Sequence, residues 1–228
     1  MKYLSEFRES PAAGELLKQI GGMNLSRRRI VLMEVCGTHT MAIARAGLKD
    51  LLPDSIKLVS GPGCPVCVSP QSYIDKAIAL AKKDCIITTF GDMFRVPGSR
   101  STLEKEKAGG GDIRIVYSPL EAMTIARTHP ERQVIFLSVG FETTTPAIAA
   151  TVAHAQQNGI RNLFFLCANK LIPPAMKYLL DAGTVALDGF LCPGHVSAVI
   201  GPQPYREIAA AYGVPCVIAG FEPVDILQ

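Results

Sequence analysis

Short apolar runs recur along the chain at a spacing that fits an α/β protein. They cover residues 30–35, 56–60, 85–89, 113–117, 134–139, 163–168, 187–191 and 215–219. The runs are rich in Val, Ile, Leu and Phe and do not alternate with polar residues. This pattern is typical of strands buried on both faces of a parallel sheet.

Segments with helical periodicity lie between several of these runs, at residues 71–83, 120–128, 145–158, 172–182 and 203–212. Alternating strands and helices predict an α/β protein with two similar, doubly wound, mostly parallel-sheet lobes and a cleft between them. A weak internal repeat, VGFETTTP at 139–146 against AGFEPVDI at 219–226, agrees with two lobes.

The predicted domains are an N-terminal helical segment (1–25), a first lobe (26–130) and a second lobe (131–228). The boundary is placed in the polar segment THPERQ at 128–133. The chain stops at FEPVDILQ, where such a fold would continue into a helix, so we expect a fragment of a longer protein.

Composition and charge narrow the class of protein. Of the 228 residues 48% are hydrophobic and 19% are charged, with a net charge of +3. The densest basic cluster, Arg27 to Arg29, predicts a solvated surface rather than a nucleic-acid site. No signal peptide and no apolar stretch of membrane-spanning length is found, so we expect a soluble, cytoplasmic protein without nucleic-acid or membrane partners.

Cys36 stands where an apolar run meets a helical pattern. Thr38 and Thr40 are predicted to cap a helix that begins near Met41, and the helix start would favour a thiolate at Cys36. His39 could add a donor, a ligand or a counter-ion. The alternative is a small buried thiol at the end of a strand.

The segment GPGCPVC contains a C-x-x-C pair, Cys64 and Cys67, after a rigid turn. Because the chain has seven cysteines, an odd number, and is not small, this pair indicates redox or metal chemistry rather than a secreted disulfide framework. A closed zinc site would need a second pair, and Cys192 and His195 come from a distant turn. Two inert thiols in a turn are the alternative.

Other motifs carry weaker predictions. GFETTTP places Glu142 beside threonines that either cap a helix or bind an anion or a partner, and no P-loop follows. Asp92 and Arg95 share a loop, where they pair with each other or face the cleft. Cys85, Cys167 and Cys216 lie in or beside apolar runs and are predicted to be core residues.

Seven ordered motifs resemble the family of the hydrogenase maturation protein HypD: MEVCGTHT, GPGCPVC, TFGDMFRVPG, IVYSP, GFETTTP, PGHVS and AGFEPVDIL. The resemblance implies two α/β lobes and a role in building the Fe(CN)2CO group of [NiFe] hydrogenases, with a small chaperone, HypC, and a cyanide carrier, HypE. It also implies a [4Fe-4S] cluster in the full-length family, but its ligands lie beyond residue 228.

The resemblance further implies roles for individual residues. Cys36 would bind iron together with a cysteine of the chaperone, His39 would support that site, and Cys64 and Cys67 would relay electrons as a redox pair. Further residues are expected to line the cleft or to contact the partner: Gly37, Thr38, Thr40, Gly61, Pro62, Gly63, Asp92, Arg95, Phe141, Glu142, Thr143, Thr144, His195 and Glu222.

These observations favour an assembly scaffold over an enzyme that turns over alone. The alternatives are a stand-alone dithiol-disulfide oxidoreductase that uses Cys64 and Cys67, and a nucleotide-binding α/β module. The nucleotide-binding module is the weakest, because no phosphate-cradling motif is present.

Overall fold

A computed structural model describes residues 11–23 and 29–228. Helix α1 (Pro11–Gly22) confirms helical structure in that part of the predicted N-terminal segment. Residues 1–10, 24 and 25 of that segment, together with Arg27 and Arg28, lie outside the described residues. Arg29 is exposed, as a solvated basic cluster requires.

The predicted apolar runs all form strands, with ends that differ by at most two residues. The strands are β1 (Ile30–Glu34), β2 (Ile56–Ser60), β3 (Cys85–Thr89), β4 (Ile113–Ile115), β5 (Gln133–Ser138), β6 (Leu163–Cys167), β7 (Gly189–Pro193) and β8 (Cys216–Ala219).

Ten further helices follow α1 within the described residues. They are α2 (Gly37–Arg45), α3 (Leu48–Leu51), α4 (Gln71–Ala81), α5 (Leu103–Ala108), α6 (Pro119–Thr128), α7 (Thr145–Gln157), α8 (Ile172–Ala182), α9 (Gly194–Ile200), α10 (Gln203–Tyr212) and α11 (Pro223–Leu227). The five predicted helices are α4, α6, α7, α8 and α10. No helix in the described part of the chain has the length and apolar character needed to cross a membrane.

Unit 1 combines the chain up to Cys64 with Leu171–Gln228. Its four-stranded sheet has the order β2-β1-β7-β8, and every strand pair is parallel. Ile43, Leu48, Leu58 and Leu191 form its buried core with Leu227, and α1 packs against α11.

Unit 2 is the continuous segment Pro65–Lys170. Its sheet has the order β4-β3-β5-β6 and is also parallel throughout. Apolar side chains of α4, β3 and β5 make up its largest core cluster. The two sheets therefore confirm the α/β class and the two similar lobes.

The chain does not divide into lobes at the predicted place. Strand β7 pairs with β1, with Met33 opposite Phe190 and Glu34 opposite Leu191, so the last part of the chain completes the first sheet. The segment 128–133 instead links α6 to β5 inside unit 2. The boundaries of the two lobes therefore differ from the predicted ranges of 26–130 and 131–228. The prediction failed because a polar loop indicates a turn at the surface and carries no information about which strands pair.

Burial on both faces holds for most of the central strands, although the first three residues of β1 are only half-buried, and it does not hold for the edge strands. β3 and β7 are buried throughout, whereas β6 and β8 are partly exposed. Cys85 is accordingly buried, but Cys167 on edge strand β6 is exposed, and Cys216 on edge strand β8 is half-buried. The prediction that Cys167 is a core residue is therefore wrong, and that for Cys216 holds only in part.

Candidate functional site

The strand order of unit 1 creates a switch point beside β1. The chain passes from β1 to β2 on one side, whereas β7 and β8 lie on the other. Ligands of open α/β sheets bind at the carboxyl ends of strands where the order reverses in this way. Cys36 follows the end of β1 by two residues, and His195 follows the end of β7 by two residues, so both belong to this edge.

Cys36 is the N-cap residue of α2. Its backbone is extended (φ −153°, ψ 127°), and its carbonyl accepts the first helical hydrogen bond from Thr40 N at 3.2 Å. The thiol is half-buried and makes no capping hydrogen bond. The thiol thus lies at the N-terminal end of the helix, which favours negative charge, and it does not cap the helix.

The predicted caps of this helix are wrong. The helix begins at Gly37, four residues before Met41, so Thr38 and Thr40 lie inside its first turn. The Thr40 hydroxyl donates to Glu34 Oε1 at 3.1 Å and to Cys36 O at 3.4 Å, so it acts as a donor and does not cap the backbone N–H groups of the helix. Thr38 is exposed.

The Gly-Pro-Gly turn lies against Cys36. Gly61 N donates to Glu34 O at 2.8 Å, and Gly37 N donates to Gly63 O at 3.0 Å. A Cβ atom on Gly63 would lie 2.6 Å from the carbonyl carbon of Cys36, closer than real Cβ contacts come. Glycine at position 63 therefore allows the two backbones to touch.

Cys64 follows this contact and is half-buried, whereas Cys67 is exposed. Cys64 is the last residue of the first segment of unit 1, and Cys67 lies in the turn 65–68 at the beginning of unit 2. In that turn the Ser69 hydroxyl donates to Pro65 O at 2.8 Å. The boundary between the two units thus falls inside the C-x-x-C pair.

His39 is fully buried and its ring faces Phe221, with centroids 4.7 Å apart. Nε2 lies 2.7 Å from Gly220 O, and since a carbonyl only accepts, we assign the proton to Nε2. Nδ1 is then a buried acceptor, with no hydrogen-bond partner among the described residues. His195 is exposed and contacts the same phenyl ring at 4.5 Å. The fold therefore brings the two histidines together around Phe221, a residue that sequence reasoning missed.

Glu34 is the other residue that was missed. Its side chain is fully buried, and Oε1 accepts hydrogen bonds from the hydroxyls of Thr40 (3.1 Å) and Ser60 (2.7 Å). A glutamate inside an apolar strand is the signal that could have revealed it, because a buried carboxyl group needs hydrogen-bond partners inside the protein.

The comparisons with known proteins identify the family. The family model HypD, described as "Hydrogenase formation hypA family", matches residues 12–228. The chain belongs to the HypD family.

Curated HypD relatives match the whole chain. A protein named hydrogenase maturation factor HypD from Azotobacter vinelandii is 47% identical over 235 residues, and one of the same name from Cupriavidus necator is 45% identical over 236 residues. The Escherichia coli relative, again named hydrogenase maturation factor HypD, is 42% identical over 234 residues. These alignments cover 100% of this chain but only 62%, 62% and 63% of the relatives. The chain thus spans less than two thirds of their length.

The HypD motif GFETTTP lies in unit 2, between β5 and α7. Phe141 and Glu142 are buried, and Thr143 is exposed. Thr144 occupies the N-cap position but makes no side-chain cap, while Thr145 Oγ1 donates to Phe141 O at 3.1 Å. The prediction that a threonine hydroxyl caps this helix is therefore wrong.

Three further residues of the HypD motifs, Asp92, Arg95 and Glu222, were predicted to line the cleft or to contact the partner. Arg95 pairs with Glu104 at 3.2 Å rather than with Asp92, and both Arg95 and Asp92 are exposed. Glu222 is the N-cap of α11 and forms a reciprocal capping box with Asp225. Glu222 thus has a structural task at the same loop that carries Phe221.

A second pair of thiols lies in unit 1. Cys192 on β7 and Cys216 on β8 are hydrogen-bonded, which raises the pKa of the Cys192 thiol, and burial raises it further. The same hydrogen bond lowers the pKa of Cys216. Sequence reasoning missed this pair because the two cysteines are 24 positions apart (216 − 192) and meet only through strand pairing.

Unit 1 contains one cysteine at the switch point that could bind a metal, Cys36. Among the described residues, no group of three or more His, Cys, Asp or Glu side chains is arranged to hold a metal ion. Cys36 at the switch point can supply one soft sulfur ligand to a metal that a second molecule also binds.

Proposed function

We propose that this chain is part of a [NiFe] hydrogenase maturation factor, a scaffold on which the Fe(CN)2CO group is assembled. Iron is the cargo of this scaffold. It is held by Cys36 together with a cysteine of a small HypC-type chaperone, and cyanide arrives from a HypE-type donor. The names of the curated relatives support a role in hydrogenase maturation.

One observation carries the assignment of the iron site. Cys36 is half-buried at the sheet's switch point, at the positive end of α2, and its side chain takes no part in capping. A thiolate there can bind iron and remain open to a partner's ligand. Low-spin iron that carries cyanide and carbon monoxide suits soft sulfur ligands.

The residues around Cys36 supply order rather than further ligands. The contact between Gly37 and Gly63 fixes the backbone beside the thiol, and the buried ring of His39 anchors α2 to the Gly220 carbonyl. A site to which this chain contributes one sulfur retains open coordination positions, so the finished group can be passed on. In the same proposal Cys64 and Cys67 act as the redox pair, with Cys67 exposed to an electron donor.

The test uses the full-length protein purified anaerobically with its chaperone. Cys36→Ala is expected to abolish bound iron and the infrared bands of CN and CO, because the only ligand assigned to this chain is lost. Cys167→Ala is the matched control, since Cys167 is also accessible but lies on β6 in unit 2. CN and CO bands that persist in Cys36→Ala would refute the proposal.

A stand-alone dithiol-disulfide oxidoreductase is the second candidate. The exposure of Cys67 favours it, because an exchange reaction needs an accessible sulfur. This function predicts that the protein reduces insulin disulfides with a thiol donor and without iron or chaperone, and that Cys67→Ser abolishes the activity. Absence of reductase activity would eliminate this candidate and leave the scaffold unaffected.

A further inference from the structure

Glu34 connects the two loops that carry the site's cysteines. It is the last residue of β1, and its backbone carbonyl accepts from Gly61 N at 2.8 Å. Its Oε1 atom accepts from Thr40, in the first turn of α2, and from Ser60, the last residue of β2. One residue thus holds the helix that begins after Cys36 and the turn that leads to Cys64.

The carboxyl group of Glu34 is buried, which makes its hydrogen bonds important for stability. Glu34 is fully buried, and an acidic side chain in a protein interior costs free energy unless hydrogen bonds compensate. Oε1 receives two bonds, while Oε2 has no hydrogen-bond partner among the described residues. The two bonds to Oε1 compensate part of the cost of burial, and they connect the carboxyl group to Thr40 and Ser60.

The bonds of Glu34 act on the position of Cys36. Gly37 N, one residue after Cys36, donates to Gly63 O, one residue before Cys64. This backbone bond holds only while α2 and the Gly-Pro-Gly turn stay in register. The Thr40 hydroxyl, which also lies 3.4 Å from Cys36 O, and the Ser60 hydroxyl both donate to Glu34 Oε1, so this carboxyl group connects the two segments.

We propose that Glu34 is a positioning residue, which locks the Cys36 loop against the Gly-Pro-Gly-Cys turn through the hydroxyls of Thr40 and Ser60. The purpose of this lock rests on the proposed function, since it presents the metal-binding thiol in one fixed place. The lock itself is a property of unit 1 and needs neither iron nor a partner.

The experiment measures the accessibility of Cys36 in the purified chain. The rate of alkylation by iodoacetamide is determined for each cysteine by peptide mass spectrometry, and the rate at Cys36 is divided by that at Cys167. Cys167 is an internal reference, because it is exposed and lies in unit 2.

Glu34→Ala is expected to raise this ratio by about threefold or more, the factor that the loss of a hydrogen bond brings, because the half-buried thiol becomes freer. The double variant Thr40→Val/Ser60→Ala should raise it similarly. Glu34→Gln should preserve the ratio, since the amide oxygen can accept the same two bonds. Thr38→Val, which removes an exposed hydroxyl from the same turn, should also leave it unchanged.

An unchanged ratio in the double variant would overturn the proposal, and so would an increase in Glu34→Gln as large as that in Glu34→Ala. Circular dichroism shows which variants are folded, and the double variant decides the question if Glu34→Ala does not fold. Since no iron is present, a negative result here is distinct from failure of the infrared test on Cys36→Ala.

Discussion

At the scale of single residues, this site depends on how closely two backbones approach. Gly63 contacts Cys36 and Gly37. The Gly-Pro-Gly sequence predicts a tight turn at this position. The sequence does not indicate which part of the chain this turn contacts, because two helices and a strand separate Cys36 from Gly63. The sequence thus identified the cysteines that could bind a metal or take part in redox reactions. The roles of Glu34 and Phe221, and the residues around each cysteine, became visible only in the structure.

Gly63→Ala is expected to destabilise the protein by about 2 kcal/mol, since the new methyl group must displace backbone rather than a flexible side chain. A Cβ atom there would lie 2.9 Å from Cys36 Cα. Urea unfolding followed by circular dichroism measures this change. Gly14→Ala is the control, because a Cβ atom at Gly14 meets nothing within 4 Å and alanine favours the helix. Equal stability of the Gly63→Ala variant and the parent chain would show that the turn can move away.

At the scale of elements, apolar runs identified every strand of the described chain, but they did not distinguish central from edge strands. Val217 and Ile218 on β8 are 55% and 43% exposed, although their run looks as apolar as that of buried β7. The short helices α3, α5, α9 and α11 were missed because four to seven residues are too few to establish a helical period. The start of α2 was missed because its cap is a cysteine, whose side chain is not a typical cap.

The elements of unit 2 are also joined by charge. Asp112, just before β4, receives two hydrogen bonds of 2.9 Å from Arg114 and one of 2.7 Å from Arg132, which precedes β5. The hydrogen bonds of Arg114 are the main cause that holds the pKa of Asp112 to about 2, below its usual range. A carboxyl group with a lowered pKa stabilises the folded state above its unfolded pKa of about 3.9, and this contribution disappears as the pH falls towards the folded value.

Asp112→Asn is therefore expected to lower the free energy of unfolding at pH 7 by about 1 kcal/mol, a modest value because the group is partly exposed. The difference from the parent chain should shrink between pH 4 and pH 2 as Asp112 takes up a proton, which urea unfolding at several pH values would measure. Asp84→Asn serves as control, since that side chain is 92% exposed and contacts the same Arg132. A difference that does not depend on pH would assign the effect to packing instead.

At the scale of the whole molecule, unit 2 is inserted into unit 1. The chain leaves unit 1 after Cys64 and returns at Leu171, so β1 receives its neighbour β7 from a distant segment. No local pattern encodes such pairing, which is why the fold class and the number of lobes could be predicted from sequence but the boundaries could not.

This arrangement predicts different behaviour for two fragments. Residues 65–170 contain a complete four-stranded sheet and their own core, so they should unfold in one cooperative thermal transition. The described part of residues 1–64 contributes β1 and β2 to the other sheet. This fragment should lack such a transition, because two strands alone do not form a stable sheet. Circular dichroism during heating tests both. Cooperative melting of residues 1–64, or its absence in 65–170, would contradict the division.

The discontinuous course of unit 1 also sets an order of events on the ribosome. Cys36 is synthesised before unit 2, whereas β7 and the Gly220 carbonyl that holds His39 are synthesised after it. Domains tend to fold as units during translation, so the inserted unit is completed first. A nascent chain therefore carries the Cys36 thiol before the segment that surrounds this thiol in unit 1 has been made, and the surroundings of Cys36 are completed only after the inserted unit.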